Sequence, residues 1–283
     1  MALKVLSKGM TVEAEGLKRF QQEARTIAAL NHPHICTLYD IGEHNGRSFL
    51  VMEYLTGETL AERLKRGPFP FEQVLDIGTE IAEALEAAHK QGVVHRDVKP
   101  GNVILTAAGA KLIDFGLAKL KKKMVPEAST AETASETTPG LVMGTVEYMS
   151  PEQLDGLTVD ARTDLWGLGV ILFEMLTGRR AFEGTSRARV IAAILEHKPA
   201  PLTTRELPIP KLLEHMVKRC LAKKPECRWA SARDLADQLR ALRRDGRAVS
   251  LSGALASRLA KLKWAVIGAL LFVALALNVG TGL

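Results

Sequence analysis

The apolar stretch ALKVL, residues 2–6, broken only by Lys4, reads as a short strand of alternating exposure. The period then lengthens. Leu17, Phe20, Ala24, Ile27 and Ala28 recur at helical spacing and predict a helix from Val12 to Leu30. SFLVMEYL, Ser48 to Leu55, reads as a second strand running into a connecting segment. From Phe71 to His89 the stripe Val74, Ile77, Ile81, Ala82, Leu85 and Ala88 predicts an amphipathic helix. Arg162 to Thr177 is apolar nearly all round, the mark of a buried central helix, and places Trp166 in the core. No internal repeat is evident.

The last twenty residues, Trp264 to Leu283, carry no charge, and the first fourteen are apolar without a break. A helix of that length reaches about 30 Å, the thickness of a bilayer's hydrocarbon core. Two readings are open: a membrane span, or a buried terminal helix, for which Asn278 is the argument. The charge distribution favours the span. Of the net +6, all can be assigned to residues 240–263, where Arg240, Arg243, Arg244, Arg247, Arg258, Lys261 and Lys263 face a single acid, Asp245. Positive charge concentrated before an apolar run points to membrane topology rather than nucleic acid, with Arg258, Lys261 and Lys263 on the cytoplasmic side. The expected location is therefore the cell membrane, single-pass. Asp245 to Ser257, rich in Gly, Ser and Ala, reads as a linker.

Length and composition set the remaining bounds. A chain of 283 residues suits one large domain or two small ones, and 47% hydrophobic with 25% charged residues supplies an ordinary globular core. Cys36, Cys220 and Cys227 are too few and too scattered for a disulfide framework or a zinc site. Each is expected to be a small buried apolar residue in a reducing compartment.

The chemistry is concentrated in HRDVKPGNVILTAAGAKLIDFG, beginning at His95. It carries two carboxylates, Asp97 and Asp114, with Lys99 and Asn102 between them. Phosphoryl transfer from ATP needs such a set: a carboxylate to orient the attacking hydroxyl, oxygen ligands for Mg²⁺, and a cation on the moving phosphoryl group. Asp-Phe-Gly alone would be a weak signal, but here it falls twelve residues after Asn102. GTVEYMSPE (Gly144 to Glu152), DLWGLG from Asp164 and a late Arg228 follow in order.

On these motifs the chain resembles the eukaryotic-type serine/threonine protein kinases, and its basic linker and apolar end resemble the bacterial receptor-type branch. The resemblance implies an α+β, bilobal fold. Residues 1–55 would form part of a β-rich small lobe and the hinge, 56–244 a helical large lobe, 245–263 a basic juxtamembrane linker and 264–283 a transmembrane helix.

It also implies roles. Asp97 would be the base and Lys99 the cation on the γ-phosphate, which favours serine and threonine acceptors, as does Thr145. Asn102 and Asp114 would ligate Mg²⁺. Lys4 would reach the α- and β-phosphates and pair with Glu23, whose alternative is a solvated helix charge. Met52 would control access behind the adenine of ATP, with the backbone of Glu53 and Leu55 bonding the purine and Ala2 and Ile104 lining it. His95 and Phe115 would pack as core. Asp164 would hold the catalytic-loop backbone, and Arg228 would pair with Glu152.

Between Asp114 and Glu152 lie Lys119, Lys121, Lys122 and Lys123, then Ser129, Thr130, Thr133, Ser135, Thr137 and Thr138. This composition suits a disordered loop, a set of autophosphorylation sites, or both. A phosphate there could dock on Arg96. Expected partners are protein substrates with Ser or Thr acceptors, a second copy of the chain for autophosphorylation, and the membrane.

The family's glycine-rich loop, which covers the ATP phosphates, precedes its strand lysine, and Lys4 stands three residues after the start. The expectation is a fragment, or a misplaced start, of a longer kinase. The alternative is a pseudokinase-like scaffold or binding module with weak or no ATP turnover.

Overall fold

The computed structural model describes residues 1–5, 26–45, 47–115, 146–202 and 209–245. Met1–Arg240 forms one compact unit.

Strands β1 (Ala2–Val5), β2 (Leu38–His44) and β3 (Arg47–Met52) make an antiparallel sheet in the order β1-β3-β2. Alternation decides what each face does. Lys4 pairs with Leu50 and Ala2 with Met52, so these four share one face, while Leu3 and Val5 point to the exposed side. The β2–β3 hairpin turns at Asn45, φ 50°, a left-handed conformation that asparagine tolerates. A register shift between Leu38 and Asp40 leaves Tyr39 bulged and exposed.

Residues 53–57 lead from this sheet to β4 (Glu58–Thr59), which pairs with β5 (Val103–Thr106), itself paired with β6 (Gly109–Leu112). Gly57 is required here: a Cβ would lie 2.0 Å from the Leu105 carbonyl oxygen. Helix α1 (Leu60–Leu64) opens on a reciprocal cap, in which Glu62 N–H donates to Thr59 Oγ1 and Thr59 N–H to the Glu62 carboxylate.

The helical part is built on α2 (Phe71–Lys90) and α4 (Arg162–Thr177), with α3 (Pro151–Leu154) before α4 and α5 (Arg187–Glu196) and α6 (Lys211–Cys220) after it. The expected stripe of α2 is buried, apart from half-buried Ile77. Fourteen of the sixteen residues of α4 are buried, Trp166 completely, so this helix is the core against which α2 and α6 pack. It ends at Gly178, φ 67°, whose N–H donates to the Glu174 carbonyl. A Cβ at Gly167 would sit 2.7 Å from the Val98 carbonyl oxygen, so glycine lets α4 press directly on the 95–102 loop. A further helix begins at residue 232 and continues through 245.

Two expectations change. Cys36 and Cys220 are buried, but Cys227 is exposed, because it closes the surface 3-10 turn Pro225–Cys227 while its neighbour Arg228 turns inward. Strands β2, β4, β5 and β6 are additions to the elements that periodicity predicts; β5 and β6 are only four residues each, too short for alternation to register. Of the helix expected over 12–30, residues 26–28 are helical and the rest, Glu23 included, lies outside the described residues or beyond the helix end. Residues 116–145, which include Thr145 and the Ser and Thr cluster, and the apolar run 264–283 also lie outside the described residues. Among the described residues no helix is long and apolar enough to cross a membrane.

Candidate active site

The 95–102 loop is fastened from below by one buried carboxylate. Asp164, in the first turn of α4, accepts the backbone N–H of His95 (2.8 Å) and of Arg96 (2.7 Å), and His89 Nε2 from the last turn of α2 (2.7 Å). A helix N-terminus is a favourable place for that negative charge. The two backbone bonds hold Arg96 at φ 68°, a strained conformation for a residue that carries a Cβ. Gln153 of α3 adds a third restraint by donating to the Arg96 carbonyl, 2.7 Å.

His95 is fully buried and works in both directions. Its Nε2 lies 3.0 Å from the Ile113 carbonyl, and its Nδ1 accepts the Asp97 N–H at 3.3 Å. The ring stands 4.6 Å from that of Phe115. His95 is thus a packing and bridging group.

Above this base, Asp97 Oδ2 takes bonds from Lys99 Nζ (2.7 Å) and Asn102 Nδ2 (3.0 Å). Asn102 also donates to the Asp97 carbonyl, 2.8 Å, and its own carbonyl accepts the Ile113 N–H, 3.0 Å. The Asp97 carboxylate keeps 25% exposure, so an incoming hydroxyl can reach it. One residue past Ile113 stands Asp114, at φ 67°. Its Oδ2 meets Lys4 Nζ from β1, across 110 positions of sequence. Its Oδ1 is buried with no hydrogen-bond partner among the described residues. A buried, unpartnered carboxylate oxygen is costly to leave so, and suits a hard cation.

The structure therefore joins Lys4, Asp97, Lys99, Asn102 and Asp114 through the Asn102–Ile113 backbone bond and the Lys4–Asp114 ion pair. Ala2 and Met52 lie opposite each other on the same face as Lys4. Glu53 and Leu55 follow in the connecting segment, and Ile104 sits on β5 opposite Lys111. Glu23 lies outside the described residues.

Residues that sequence reasoning misses include His89, Gln153, Thr163 and Lys111. Thr163 adjoins Asp164, which could have flagged it; the others have partners 57 to 75 positions away and no local signal.

Behind the site, Arg228 and Glu152 form a buried, two-pronged ion pair with both N···O distances 2.7 Å. Thr163 Oγ1 donates to the same carboxylate, 2.6 Å, and the carbonyls of Ala222, Arg162 and Lys223 accept the remaining guanidinium protons. Full satisfaction on both sides is what makes a buried pair tolerable. Burial pushes the Glu152 carboxyl up, but the Arg228 and Thr163 bonds outweigh it and bring it down to about 2.

The sequence profile of the family described as Protein kinase domain matches residues 1–239. The serine/threonine-protein kinase PknB of Mycobacterium leprae is 38% identical over 247 residues, covering 85% of this chain and 38% of that protein. PknA of Mycobacterium tuberculosis is 37% identical over 250 residues, 86% of this chain and 55% of that protein. A probable serine/threonine-protein kinase of Clostridium perfringens is 36% identical over 247 residues, 87% and 35% respectively. The chain thus spans between about a third and just over half of the length of these curated relatives. The crystal structure of a mutant form of the Mycobacterium tuberculosis PknI kinase domain superposes with a TM-score of 0.60 at 30% identity, covering 84% of this chain and 83% of that one.

The depressed Glu152 value fixes a pH dependence. The Glu152 contribution to stability is present above its ordinary value of 4.5 and is lost as pH falls from there toward 2. Wild type should exceed Glu152→Gln by about 3 kcal/mol in urea unfolding at pH 7. That gap should close on acidification through this window; a gap independent of pH would refute the assignment.

Proposed function

This chain belongs to the protein kinase family, and from that premise we propose that it transfers the γ-phosphoryl group of ATP to serine and threonine hydroxyls of proteins. The observation that carries the reading is the convergence of Lys4, Asp114, Asn102, Lys99 and Asp97 from separate segments.

The roles follow from what each group can do where it stands. Asp97, exposed at one edge and held by Lys99 and Asn102, orients the acceptor hydroxyl and takes its proton as the new P–O bond forms. Lys99, 2.7 Å from Asp97, holds positive charge beside the oxygens of the moving phosphoryl group. Asn102 donates its Nδ2 to Asp97 and so has its amide oxygen left for a cation, as the unpartnered Oδ1 of Asp114 is. These hard oxygens fit Mg²⁺, which when bound supplies charge neutralisation for the phosphates. Lys4, which rests on Asp114, would give its ammonium to the α- and β-phosphates. Met52, Glu53, Leu55, Ala2 and Ile104 would take the purine, the backbone of 53 and 55 by hydrogen bonds.

The reading extends to the remainder of the sequence. Residues 264–283 form a membrane span that places the kinase unit on the cytoplasmic face, supported by twenty uncharged residues behind a basic flank. A second copy of the chain would supply the Ser and Thr residues at 129–138 as acceptors.

Asp97→Asn should lower transfer of radiolabelled phosphate from ATP to a protein acceptor by about 10³-fold while leaving the urea midpoint near wild type. Equal transfer by wild type and variant would remove Asp97 from its role; none from either would favour a binding module. For the span, the chain should stay with membranes through an alkaline carbonate wash. Leu271→Arg, which costs about 3 kcal/mol at a helix centre, should release it. A wild-type chain washed off as readily as the variant would contradict the span.

A further inference from the structure

Residues 34–37 are stitched to two sides of the candidate nucleotide site. On one side, Leu112 of β6 donates its N–H to the His34 carbonyl (2.9 Å) and accepts the Cys36 N–H (2.8 Å). On the other, the Glu53 N–H donates to the Thr37 carbonyl (2.9 Å), and the Thr37 N–H returns to Glu53 Oε2 (3.2 Å). One side chain closes the ring. Lys111, next to Leu112 on β6, reaches both Glu53 carboxylate oxygens, at 2.8 and 2.9 Å.

This pair is unlike an ordinary surface ion pair, which contributes little because both partners are solvated and mobile. Lys111 is only 16% exposed and Glu53 25%, and the carboxylate is fixed from a third direction by backbone. Burial pushes the Glu53 carboxyl up, but the bonds from Lys111 and Thr37 hold it below its usual range. Among the described residues, the Glu53 carbonyl oxygen meets only a long contact from the Cys36 thiol, 3.7 Å. A thiol is a weak donor, so that oxygen can accept a better one. Lys111 also stands opposite Ile104 on β5 and three residues before Asp114.

We infer that Lys111 is a positioning residue for the purine: by clamping the Glu53 side chain to β6 it fixes the height of the 53–55 backbone over Ile104. It touches no reacting atom. The inference rests on the kinase reading above, since the base it serves is that of ATP. A preorganised recognition strand binds more tightly because the ordering cost is met before the ligand arrives. Loosening it should therefore weaken the purine end specifically.

The test uses the whole 283-residue chain with MgATP and, separately, adenosine, which lacks phosphates. Lys111→Met should weaken adenosine binding and raise the ATP KM by a similar factor, about 10-fold, with kcat reduced no more than about 2-fold. Lys111→Arg, which keeps the charge and reach, should restore most of both. Glu53→Gln should lower affinity alike, and adding Lys111→Met to it should cost little more. Amide hydrogen exchange at Thr37 and Glu53 should quicken in Lys111→Met and recover in Lys111→Arg. Wild-type binding with no loss in a folded Lys111→Met protein would overturn this inference alone. A loss for ATP but not adenosine would also overturn it, by moving the effect to the phosphate end. Failure of wild type to bind either ligand would overturn the kinase reading and this inference with it.

Discussion

One buried carboxylate, Asp164, sets the geometry on which the rest depends. It stands at the start of a helix buried almost all round, and three N–H donors from two other segments converge on it. The loop it holds carries Asp97, Lys99 and Asn102. A left-handed Arg96 is tolerable only because these bonds over-determine the backbone there. Gly167, one turn along the same helix, lets the Val98 carbonyl come close enough for the bonds to form. Core packing and site alignment are thus one construction, and the buried Arg228–Glu152 pair secures the segment just before that helix.

The candidate nucleotide site has two ends with different physics. At the phosphate end, charge is matched to charge: Lys4 to Asp114 and Lys99 to Asp97, with a buried Asp114 oxygen left over for a hard cation. At the proposed purine end, recognition would fall to backbone, which offers no distinctive side chain and so has to be held in place by neighbours. The ring of bonds through His34, Thr37, Glu53 and Lys111 is suited to that. Both ends meet on the stretch from Lys111, on β6, to Asp114, two residues past its end.

What could be read from sequence follows this division. The stripe of α2, the all-apolar α4 and the core position of Trp166 were legible because periodicity over sixteen to twenty residues is a strong signal. The acid–cation set from His95 to Asp114 was legible because its members are close in sequence and chemically unusual together. The pairing of Arg228 with Glu152 followed from resemblance. His89 and Lys111 were illegible: each is an ordinary helix or strand residue until a partner 75 or 58 positions away is placed beside it. Cys227 misled because composition speaks of cysteines on average, while a 3-10 turn decides which neighbour turns inward.

If Asp164 is the keystone, weakening its grip should harm alignment more than binding. Asp164→Asn retains the volume but replaces one accepting oxygen with a donor, so one of the two backbone N–H bonds is lost. The direct measurement is single-turnover phosphoryl transfer at saturating ATP, with nucleotide affinity determined on the same protein. The account predicts transfer at least about 100-fold slower, with affinity changed by only a few-fold. Transfer at the wild-type rate in a folded Asp164→Asn protein would contradict it.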